Sequence, residues 1–310
     1  MTAPAHVPFY LTPADPGGEL AGPVAALISR VTAGDGIPPF SDQGLVEWRT
    51  GRRSLTVALG SASADLLGAA LRGEDELELT VDPAHRRRGV GTALLADALA
   101  QRRGSLLCWA HGNSPASAAL AGRHGFVPVR TLLRLSAPVP RTIGATPTST
   151  DYTVRPFQPG MDDDAWVELN ARVFSNHPEQ GKLTRQDLAE RQAESWFNPE
   201  DFLVLTGPDH RLVGYNWLKI TERHGESAPP AGGRSGEVYA IGVAPEAAGH
   251  GLGRLLLQRG FDRLRERSIP SVSLYVEGDN TPALALYHSS GFETEATSVQ
   301  YRREAHPEQP

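Results

Sequence analysis

The fold of this chain is decided by a stretch of sequence that occurs twice, as VDPAHRRRGVGTALL at residues 81–95 and as VAPEAAGHGLGRLLL at residues 243–257. The copies share a valine, a proline, two glycines and two leucines, and a Gly-Phe pair follows each of them, at residues 125–126 and 291–292. Repeated blocks in the same order and at similar separations are typical of a tandem duplication. We therefore expect two domains of the same fold.

Length and composition agree with two soluble globular domains. The chain has 310 residues, 40% hydrophobic and 21% charged, and a domain usually spans about 100–200 residues. The net charge of −6 has the wrong sign for a protein that coats DNA or RNA. No apolar run approaches the roughly 18–20 residues of a membrane span, and the N-terminal residues do not resemble a signal peptide. We expect a cytoplasmic protein without nucleic-acid or membrane partners.

The cysteine and histidine content argues against disulfide or metal chemistry. Cys108 is the only cysteine, which excludes an internal disulfide and any multi-thiolate metal site. The ten histidines show no His-x-x-x-His or comparable ligand spacing. We predict no metal ion, and we interpret Cys108 as a small apolar residue in a buried strand.

A polar stretch near the middle of the chain marks the expected domain boundary. Residues 137–150, APVPRTIGATPTST, have no apolar periodicity and are rich in Pro, Thr and Ser, which predicts an interdomain linker. Residues 1–136 and 151–310 are then two domains of ordinary size. A second polar stretch, residues 222–236, predicts a mobile loop between two strands.

The apolar pattern of each half predicts strands, a glycine turn and helices in the same order, and hence a mixed α/β fold. Alternating polar and apolar residues predict strands, and apolar residues at helical spacing predict helices. The predicted strands are residues 66–71, 76–81, 105–109, 202–205, 212–220, 238–243 and 271–276, and the predicted helices are residues 90–100, 115–124, 252–264 and 281–289.

Each glycine turn lies where a predicted strand passes into a predicted helix. The first N–H groups of such a helix lack backbone partners and favour an anion, and glycines let the chain approach a phosphate closely. Neither turn has the Gly-Lys-Ser/Thr of a P-loop or the third glycine of the dinucleotide fingerprint. The remaining pattern, Arg/Gln-x-x-Gly-x-Gly/Ala after a strand that ends in Val-x-Pro, binds the pyrophosphate of coenzyme A in GCN5-related N-acetyltransferases.

The two turns match this pattern to different degrees. Residues 86–91 fit it completely, whereas in residues 248–253 Ala248 replaces the basic or amide side chain. For a single turn, a tight strand–helix connection without any ligand is an equal alternative. Two turns, each followed by a Gly-Phe pair, favour phosphate binding.

The whole chain resembles the mycothiol synthases, tandem-domain members of the GCN5-related N-acetyltransferase superfamily. The most specific matching segments are HPEQG at residues 177–181 and GEVY at residues 236–239. Further matching segments are DG at 35–36, SDQ at 41–43, WAHG at 109–112, AER at 189–191, WLK at 217–219, LYVE at 274–277 and DN at 279–280. The resemblance implies an enzyme that uses acetyl-CoA to acetylate the cysteinyl amine of cysteinyl-glucosaminyl-inositol. We expect it to act as a monomer.

The resemblance also implies roles for two residues of the second half. Glu237 contacts the substrate amine and acts as general base, directly or through water; a solvated carboxylate at a strand end is the alternative. An α-amine with a reference pKa of about 7.7–8.0 is largely protonated at neutral pH, so a base must remove a proton. Tyr287 lies near the thioester sulphur and, with a phenol pKa of about 10, can donate a proton to the leaving thiolate. Packing against its helix is the alternative.

Binding residues are implied by the same resemblance. The backbone N–H of Val243 is expected to hold the thioester oxygen, and Ile241 and Val243 to pair with the pantetheine amides. Asn280 is expected near the coenzyme A arm, or to serve only as a helix N-cap. The expected substrate contacts are Asp42, Glu179, Lys219, Glu237 and Tyr275. The expected coenzyme A contacts are Leu79, Thr80, Val81, Arg86, Arg87, Arg88, Gly89, Val90 and Gly91 in the first half, and Ile241, Gly242, Val243, Ala248, Gly249, His250, Gly251, Leu252, Gly253, Arg254, Asn280, Thr281, Pro282, Ala283, Leu284 and Ala285 in the second.

Comparison of the halves predicts that only the second one performs chemistry. When the Gly-Phe pairs are aligned, Tyr287 falls on Ala121 and Asn280 on Ser114. The first half thus has a complete phosphate turn but no phenol, and we expect it to bind acetyl-CoA and to shape the substrate cleft through Asp42. Two other functions remain open. One is a different amine N-acetyltransferase, acting on an aminoglycoside, a polyamine or a protein N-terminus, and the other is a non-catalytic acyl-CoA sensor, which Ala248 favours.

Overall fold

The structure, a computed structural model, describes residues 8–63, 65–102, 104–140, 151–175, 180–222 and 234–305. It divides into two compact units. Unit 1 consists of Met1–Leu133, Glu277–Asp279 and Ala296–Pro310, and unit 2 consists of Arg134–Val276 and Asn280–Glu295. The last residues of each half of the sequence therefore belong to the compact unit formed mainly by the other half.

The two halves contain the same elements in the same order, as the internal repeat predicts. The first half contains β1 (Phe9–Ala14), α1 (Ala21–Asp35), α2 (Asp42–Arg49), β2 (Ser54–Gly60), β3 (Leu66–Arg72), β4 (Glu76–Val81), α3 (Val90–Ala100), β5 (Leu106–Ala110), α4 (Pro115–Arg123) and β6 (Val127–Pro138). The second half contains β7 (Thr153–Pro156), α5 (Asp163–Val173), α6 (Arg185–Gln192), β8 (Phe202–Thr206), β9 (Leu212–Glu222), β10 (Arg234–Val243), α7 (Leu252–Glu266), β11 (Ser271–Glu277), α8 (Thr281–Ser289) and β12 (Glu293–Arg303).

The predicted strands and helices are confirmed, most of them to within two residues at each end. The loop predicted at residues 222–236 is too long, because Arg234 pairs with Glu222 and Gly236 with Ile220 in the β9–β10 ladder. The part of that loop at residues 223–233 lies outside the described residues, as do residues 141–150 of the predicted linker. In the described part of the chain, no helix combines the length and apolarity needed to cross a membrane.

Unit 1 is a mixed sheet with helices on both faces. Its strand order is β1-β2-β3-β4-β5-β12, in which β4 and β5 are parallel and the other pairs are antiparallel. Because neighbouring side chains of a strand point to opposite faces, Leu71 of β3 joins the core under α1 and α2, whereas Ala70 joins the core under α3. Val299 and Tyr301 of β12 belong to this second core, so the end of the chain completes unit 1.

Unit 2 is also a mixed sheet covered on both faces, with the strand order β6-β11-β10-β9-β8-β7. On one face, Trp217 of β9 contacts Trp166 of α5, with ring centroids 5.7 Å apart. On the other, the side chain of Asn216 donates to the carbonyl oxygen of Leu256 in α7 at 3.0 Å. Phe202 lies stacked against Trp217 at 4.3 Å, and such aromatic pairs are worth about 0.5–1.5 kcal/mol beyond their buried area.

The final strand of the chain pairs with a strand from the first half. In unit 1, Val299 of β12 lies opposite Ala110 of β5, and Arg303 opposite Leu106. The hydroxyl of Tyr301 donates to Oδ1 of Asn113 at 2.8 Å. An unpaired strand leaves its backbone donors and acceptors without partners on one side, so β12 supplies hydrogen bonds that β5 needs.

Candidate active site

The two glycine turns have the same backbone conformation. In each, the first residue is extended, with φ −66° in both turns and ψ 158° or 159°. The second residue has positive φ in both, 62° at Arg87 and 81° at Gly249. The N-cap glycines Gly89 and Gly251 have φ 86° and 73°. Glycine adopts this region without the steric penalty of other residues, so these N-caps explain why the pattern requires glycine.

The turn of unit 2 leaves open space at the start of α7. No side chain caps the N-terminus of α7 at Gly251, so its first N–H groups are available to an anion. Among the described residues, a Cβ built on Gly249 or Gly251 meets no atom within 4 Å, which leaves room beside these groups. At Gly253 a Cβ would lie 3.3 Å from Cδ2 of Leu286, so this glycine allows α7 to approach α8.

Side chains of this turn are held by the protein itself. Nδ1 of His250 lies 3.0 Å from the carbonyl oxygen of Ala248, and Nη2 of Arg254 donates to Oγ of Ser289 at 3.0 Å. Leu252 is buried in the core of unit 2. The backbone N–H groups of this turn do not depend on the side chain at position 248.

In unit 1, Arg86 is bound to a carboxylate. Its Nη1 and Nη2 donate to Oδ1 and Oδ2 of Asp35 at 2.9 and 2.6 Å, and its Nε donates to the carbonyl oxygen of Val81 at 3.1 Å. The bidentate edge that would recognise a phosphate is thus occupied. Arg87 is exposed and Arg88 half-buried, and these two remain the candidates for positive charge at the first turn.

In both units the parallel strands next to the turn separate after three residue pairs. In unit 2, β10 and β11 pair from Gly236 to Val238, whereas β10 continues to Val243. In unit 1, β4 and β5 pair from Glu76 to Glu78, whereas β4 continues to Val81. Beyond these pairs, residues 241–243 and 79–81 have backbone groups that are not paired with the parallel neighbour. These are the segments predicted to pair with pantetheine.

A β-bulge distinguishes the two units at this place. The β9–β10 register shifts between Val238 and Ala240, whereas the β3–β4 pairing runs in continuous register from Leu77 to Val81. Bulges commonly re-aim side chains beside active sites. The bulge therefore gives β10 a local irregularity that β4, the corresponding strand of unit 1, does not have in its pairing with β3.

The structure brings three of the predicted substrate contacts to one face of unit 2. Lys219 of β9 lies opposite Glu237 of β10 in the antiparallel pairing, and Ser273 of β11 lies opposite Glu237 in the parallel pairing. Tyr275 follows Ser273 by two residues, so its side chain, which is 45% exposed, lies on the same face. An ammonium and a carboxylate thus lie side by side near the last β10–β11 pair, and a phenol follows on the same face just beyond it.

The other two predicted substrate contacts are not part of this row. Glu179 lies outside the described residues. Asp42 is the exposed first residue of α2 in unit 1, after the N-cap Ser41. Their contacts to substrate remain predictions.

Aromatic rings surround Lys219. Its Nζ lies 5.3 Å from the ring centroid of Trp196 and 6.0 Å from that of Tyr239, distances at which a cation is attracted to an aromatic face. Nε of Arg191 donates to the hydroxyl of Tyr239 at 3.0 Å. The sequence prediction did not include Trp196, Tyr239 or Arg191 as site residues, although the AER and GEVY segments contain two of them.

Tyr287 is a buried phenol in α8. Its side chain packs against Phe292, with ring centroids 5.8 Å apart, and burial raises its pKa to about 12. The phenol therefore stays protonated at neutral pH. In unit 1, Ala121 of α4 takes the corresponding place and is partly buried against the core under α3.

Helix α8 begins at an N-cap. Oδ1 of Asn280 accepts a hydrogen bond from the N–H of Ala283 at 3.2 Å, so the N-cap role that the sequence left open is present. Residues 281–285 form the first turns of the helix. In unit 1, Oγ of Ser114 accepts from the N–H of Ser117 at 3.2 Å at the start of α4. Contacts of these residues with coenzyme A remain predictions.

A buried network holds the end of the HPEQG segment. Asn170, which is fully buried, donates from Nδ2 to the carbonyl oxygen of Gln180 at 2.6 Å and accepts from the hydroxyl of Tyr215 at 2.7 Å. A Cβ on Gly181 would collide with the backbone of Phe174. The glycine of HPEQG is thus explained by close packing against the end of α5.

Unit 1 contains a buried carboxylate whose acceptor capacity is already used. Glu78, 1% exposed, accepts from the N–H and hydroxyl of Ser41 at 2.6 and 2.7 Å and from Nη1 of Arg53 at 3.1 Å, and lies 3.2 Å from Nε2 of His111. Burial acts to raise the pKa of Glu78, but hydrogen bonds from His111 and Ser41 lower it below its usual value. A carboxylate has about four acceptor sites, so Glu78 is a structural anion and a poor base.

Cys108 is a poor nucleophile in its buried position. Burial, with the charge of Glu78, raises the pKa of the Cys108 thiol to about 12, so little thiolate forms at neutral pH. Within the described ranges, His, Cys, Asp and Glu side chains form no group of three that could hold a metal ion.

Comparisons with known families and proteins agree with this geometry. The acetyltransferase (GNAT) domain model matches residues 54–128, and the acetyltransferase (GNAT) family model matches residues 164–292. A mycothiol acetyltransferase of Kocuria rhizophila is 42% identical over 296 residues, with 90% of this chain and 94% of the relative covered. The mycothiol acetyltransferase of Clavibacter sepedonicus is 44% identical over 298 residues, with 93% and 94% covered.

Solved structures show the same tandem fold. A GCN5-related N-acetyltransferase from Sphaerobacter thermophilus aligns with a TM-score of 0.73 and 22% identity, covering 99% of this chain and 98% of that one. A tandem GNAT protein from the clavulanic acid biosynthesis pathway aligns with a TM-score of 0.71 and 19% identity, covering 97% and 100%. At these identities the likeness supports the fold alone.

The fold and the glycine turns define an N-acetyltransferase with two GNAT domains that uses acetyl-CoA. With relatives more than 40% identical over at least nine-tenths of its length, the chain belongs to the mycothiol acetyltransferase family.

Proposed function

We propose that this chain transfers the acetyl group of acetyl-CoA to the cysteinyl amine of cysteinyl-glucosaminyl-inositol, which yields mycothiol. The observation that supports this best is the row of Lys219, Glu237 and Tyr275 on one face of unit 2, where β10 and β11 separate. The carboxylate suits an acceptor ammonium, and the ammonium and phenol can bind sugar and inositol hydroxyls. The relatives named mycothiol acetyltransferase favour this acceptor.

Glu237 is the proposed general base. The cysteinyl α-amine, with a reference pKa of about 7.7–8.0, attacks only after it loses a proton. Glu237 is half-buried, and its strand is paired on both sides at this residue, so its backbone is held firmly. It takes the proton directly or through a water molecule.

Tyr287 is the proposed general acid. Acetyl-CoA supplies the activated acetyl group, and the α7 turn offers its backbone N–H groups to the pyrophosphate. The backbone N–H of Val243, beyond the last residue pair of β10 with β11, holds the thioester oxygen. Because burial keeps the Tyr287 phenol protonated, it can give its proton to the departing thiolate.

Unit 1 is proposed to bind a second acetyl-CoA without performing chemistry. Its turn has the backbone conformation of the turn in unit 2, but Ala121 takes the place of Tyr287 and the acceptor sites of Glu78 are occupied. We further propose that Asp42 contacts the acceptor and that the enzyme acts as a monomer.

The two alternatives are less well supported. A different amine acetyltransferase would not explain the similarity to mycothiol acetyltransferases over at least nine-tenths of the chain. A non-catalytic sensor was favoured by Ala248, but the backbone donors of that turn do not require a side chain there.

The decisive experiment measures acetyl-CoA turnover with cysteinyl-glucosaminyl-inositol and with a panel of an aminoglycoside, a polyamine and a peptide N-terminus. We expect kcat/KM for the proposed acceptor to exceed that for each panel amine by at least about tenfold, or about 1.4 kcal/mol of transition-state binding. Equal values would refute this acceptor. Tight binding of acetyl-CoA without turnover of any amine would instead support the sensor.

A further inference from the structure

The turn Glu277–Asp279 joins two parts of the proposed site along the chain. Tyr275 of β11 lies two residues before it, and Asn280, the N-cap of α8, follows it directly. The same helix carries Tyr287. The position of this short turn therefore affects the position of Tyr275, which precedes it, and of the start of α8, the helix that carries Tyr287.

Arg130, in the first part of β6, and the turn both belong to unit 1, and Arg130 contacts the turn there. Its Nε and Nη2 both donate to Oε1 of Glu277, at 2.9 and 2.6 Å, and the two side chains are 18% and 21% exposed. Hydrogen bonds between charged groups at such distances are about twice as strong as those between neutral ones. Beside this pair, the N–H of Gly278 donates to the carbonyl oxygen of Thr131 at 2.8 Å.

The approach of β6 to the turn is close, and Arg130 is fixed from a second side. A Cβ on Gly278 would lie 3.2 Å from Cβ of Thr131 and 3.4 Å from its carbonyl oxygen, so the glycine permits this contact. The guanidinium of Arg130 also lies over the ring of Trp109 in β5, 5.4 Å from its centroid. An arginine held by a carboxylate and by an aromatic face has little freedom to move.

We propose that Arg130 is a positioning residue for acetyl transfer, which acts by fixing the Glu277–Asp279 turn and with it Tyr275 and Asn280. The inference rests on the proposed function, since it takes Tyr275 and Asn280 as ligand contacts. It gives the non-catalytic first half a second role in the reaction, because Arg130 belongs to that half of the sequence.

Arg134 provides a matched control on the same strand. Its side chain is also 18% exposed, and its Nη1 forms an ion pair with Oε2 of Glu295 at 3.0 Å. Neither Arg134 nor Glu295 belongs to the Glu277–Asp279 turn or to the predicted site. Removal of either guanidinium thus costs an ion pair, and removal of that of Arg130 also costs the contact with Trp109. Only Arg130 touches the turn.

The test compares Arg130→Gln, Glu277→Gln, their double variant and Arg134→Gln with the wild-type full-length enzyme. We expect Arg130→Gln and Glu277→Gln each to raise the KM for acetyl-CoA and for the cysteinyl amine at least roughly fivefold, because small displacements at a site are costly. The double variant should be no worse than either single one, since both remove the same contact. Arg134→Gln should change each KM less than about twofold at a similar loss of Tm.

A purely structural role would lower the Tm of both arginine variants and leave the KM values of the folded enzyme unchanged, and that result would overturn the proposal. Additive effects of Arg130→Gln and Glu277→Gln would also overturn it. If Arg130→Gln does not fold, Arg130→Lys keeps the charge with a single donor group and should show a smaller KM shift; an unchanged KM would again count against Arg130. A wild-type enzyme that does not acetylate cysteinyl-glucosaminyl-inositol would refute the proposed function, and the Kd for acetyl-CoA by calorimetry, which needs no acceptor, would still decide the role of Arg130.

Discussion

Arg86 of the first glycine turn and Asp35 at the end of α1 form a bidentate ion pair, with distances of 2.9 and 2.6 Å. In the sequence, Arg86 completes the coenzyme A pattern of the first turn, whereas Ala248 departs from that pattern in the second. The guanidinium of Arg86 already binds the carboxylate of Asp35, so the arginine at this position anchors the end of α1. The absence of an arginine at position 248 therefore need not weaken phosphate binding. The shared backbone conformation is what the two turns offer in common.

Replacement of Arg86 should therefore affect stability before it affects coenzyme binding. We expect Arg86→Ala and Asp35→Ala each to lower the free energy of unfolding by no more than about 1 kcal/mol, as for other partly exposed ion pairs, and the double variant to lose no more. Denaturant titration checks this. Loss of one bound acetyl-CoA by calorimetry in Arg86→Ala, with unchanged stability, would show that Arg86 contacts the phosphates.

Charge reversal at the first turn distinguishes the two units. We expect Arg86→Glu with Arg88→Glu to reduce the acetyl-CoA bound per chain by one, because two carboxylates beside the turn repel the pyrophosphate, while turnover at saturating acetyl-CoA persists. Calorimetric stoichiometry and steady-state kinetics on the same preparation check this. Lost turnover with unchanged stoichiometry would move the active site to unit 1.

Tyr287→Phe should lower kcat at least about tenfold with little change in the KM for acetyl-CoA, since a general acid typically contributes 10²–10⁴-fold. Because burial raises the pKa of Tyr287 to about 12, the phenol remains a proton donor as the pH rises through the ordinary tyrosine pKa of about 10. The wild-type rate should thus show no loss from this group between about pH 8 and pH 10. A basic limb in that range that disappears in Tyr287→Phe would contradict the assigned burial.

Glu237→Gln should depress kcat most at low pH and progressively less as the pH rises. Below the amine pKa of about 7.7–8.0 the acceptor is protonated and needs the base, whereas above it the free amine is present without help. The pH–rate profile of the variant, compared with that of wild type, checks this. A uniform loss across the whole range would leave Glu237 a binding residue only.

Gly251→Val should raise the KM for acetyl-CoA strongly in a protein that still folds. At the φ of 73° found at Gly251, a residue with a side chain lowers the free energy of unfolding by roughly 1–2 kcal/mol. The new methyl groups would also enter the space beside the first N–H groups of α7. Gly160→Val is the control, because Gly160 has φ 83° and, like Gly251, meets no atom within 4 Å of an added Cβ among the described residues. Equal KM values in the two variants would show that this turn is not the phosphate site.

Deletion of residues 296–310 should destabilise unit 1. The deletion removes the partner of β5 and two core side chains, Val299 and Tyr301. Deletion of residues 304–310 is the control, since β12 ends at Arg303. Hydrogen exchange of β4 and β5 checks the effect; unchanged protection there after the longer deletion would contradict the assigned pairing.

The repeated order of elements, the two glycine turns and most residues of the candidate site could be predicted from the amino-acid sequence. These follow from local rules: apolar period distinguishes strand from helix, and a positive φ at a helix N-cap demands glycine at positions 89 and 251. The resemblance named Lys219, Glu237 and Tyr275, but their common face follows only from strand register. A bulge or a slip of one residue would turn one of them to the opposite face.

The strand that completes each sheet, and the charged side chains that are already paired with a partner, could not be predicted from the sequence because both depend on how distant elements pack. Strands β6 and β12 are the last strands of the two copies of the repeat, so the local sequence of β12 does not predict that it pairs with β5. The partners of Arg86, Glu78 and Arg130 lie 51, 37 and 147 residues away in the sequence. Such contacts depend on which elements pack together, because hydrogen bonds and ion pairs act over a few ångströms whatever the separation along the chain.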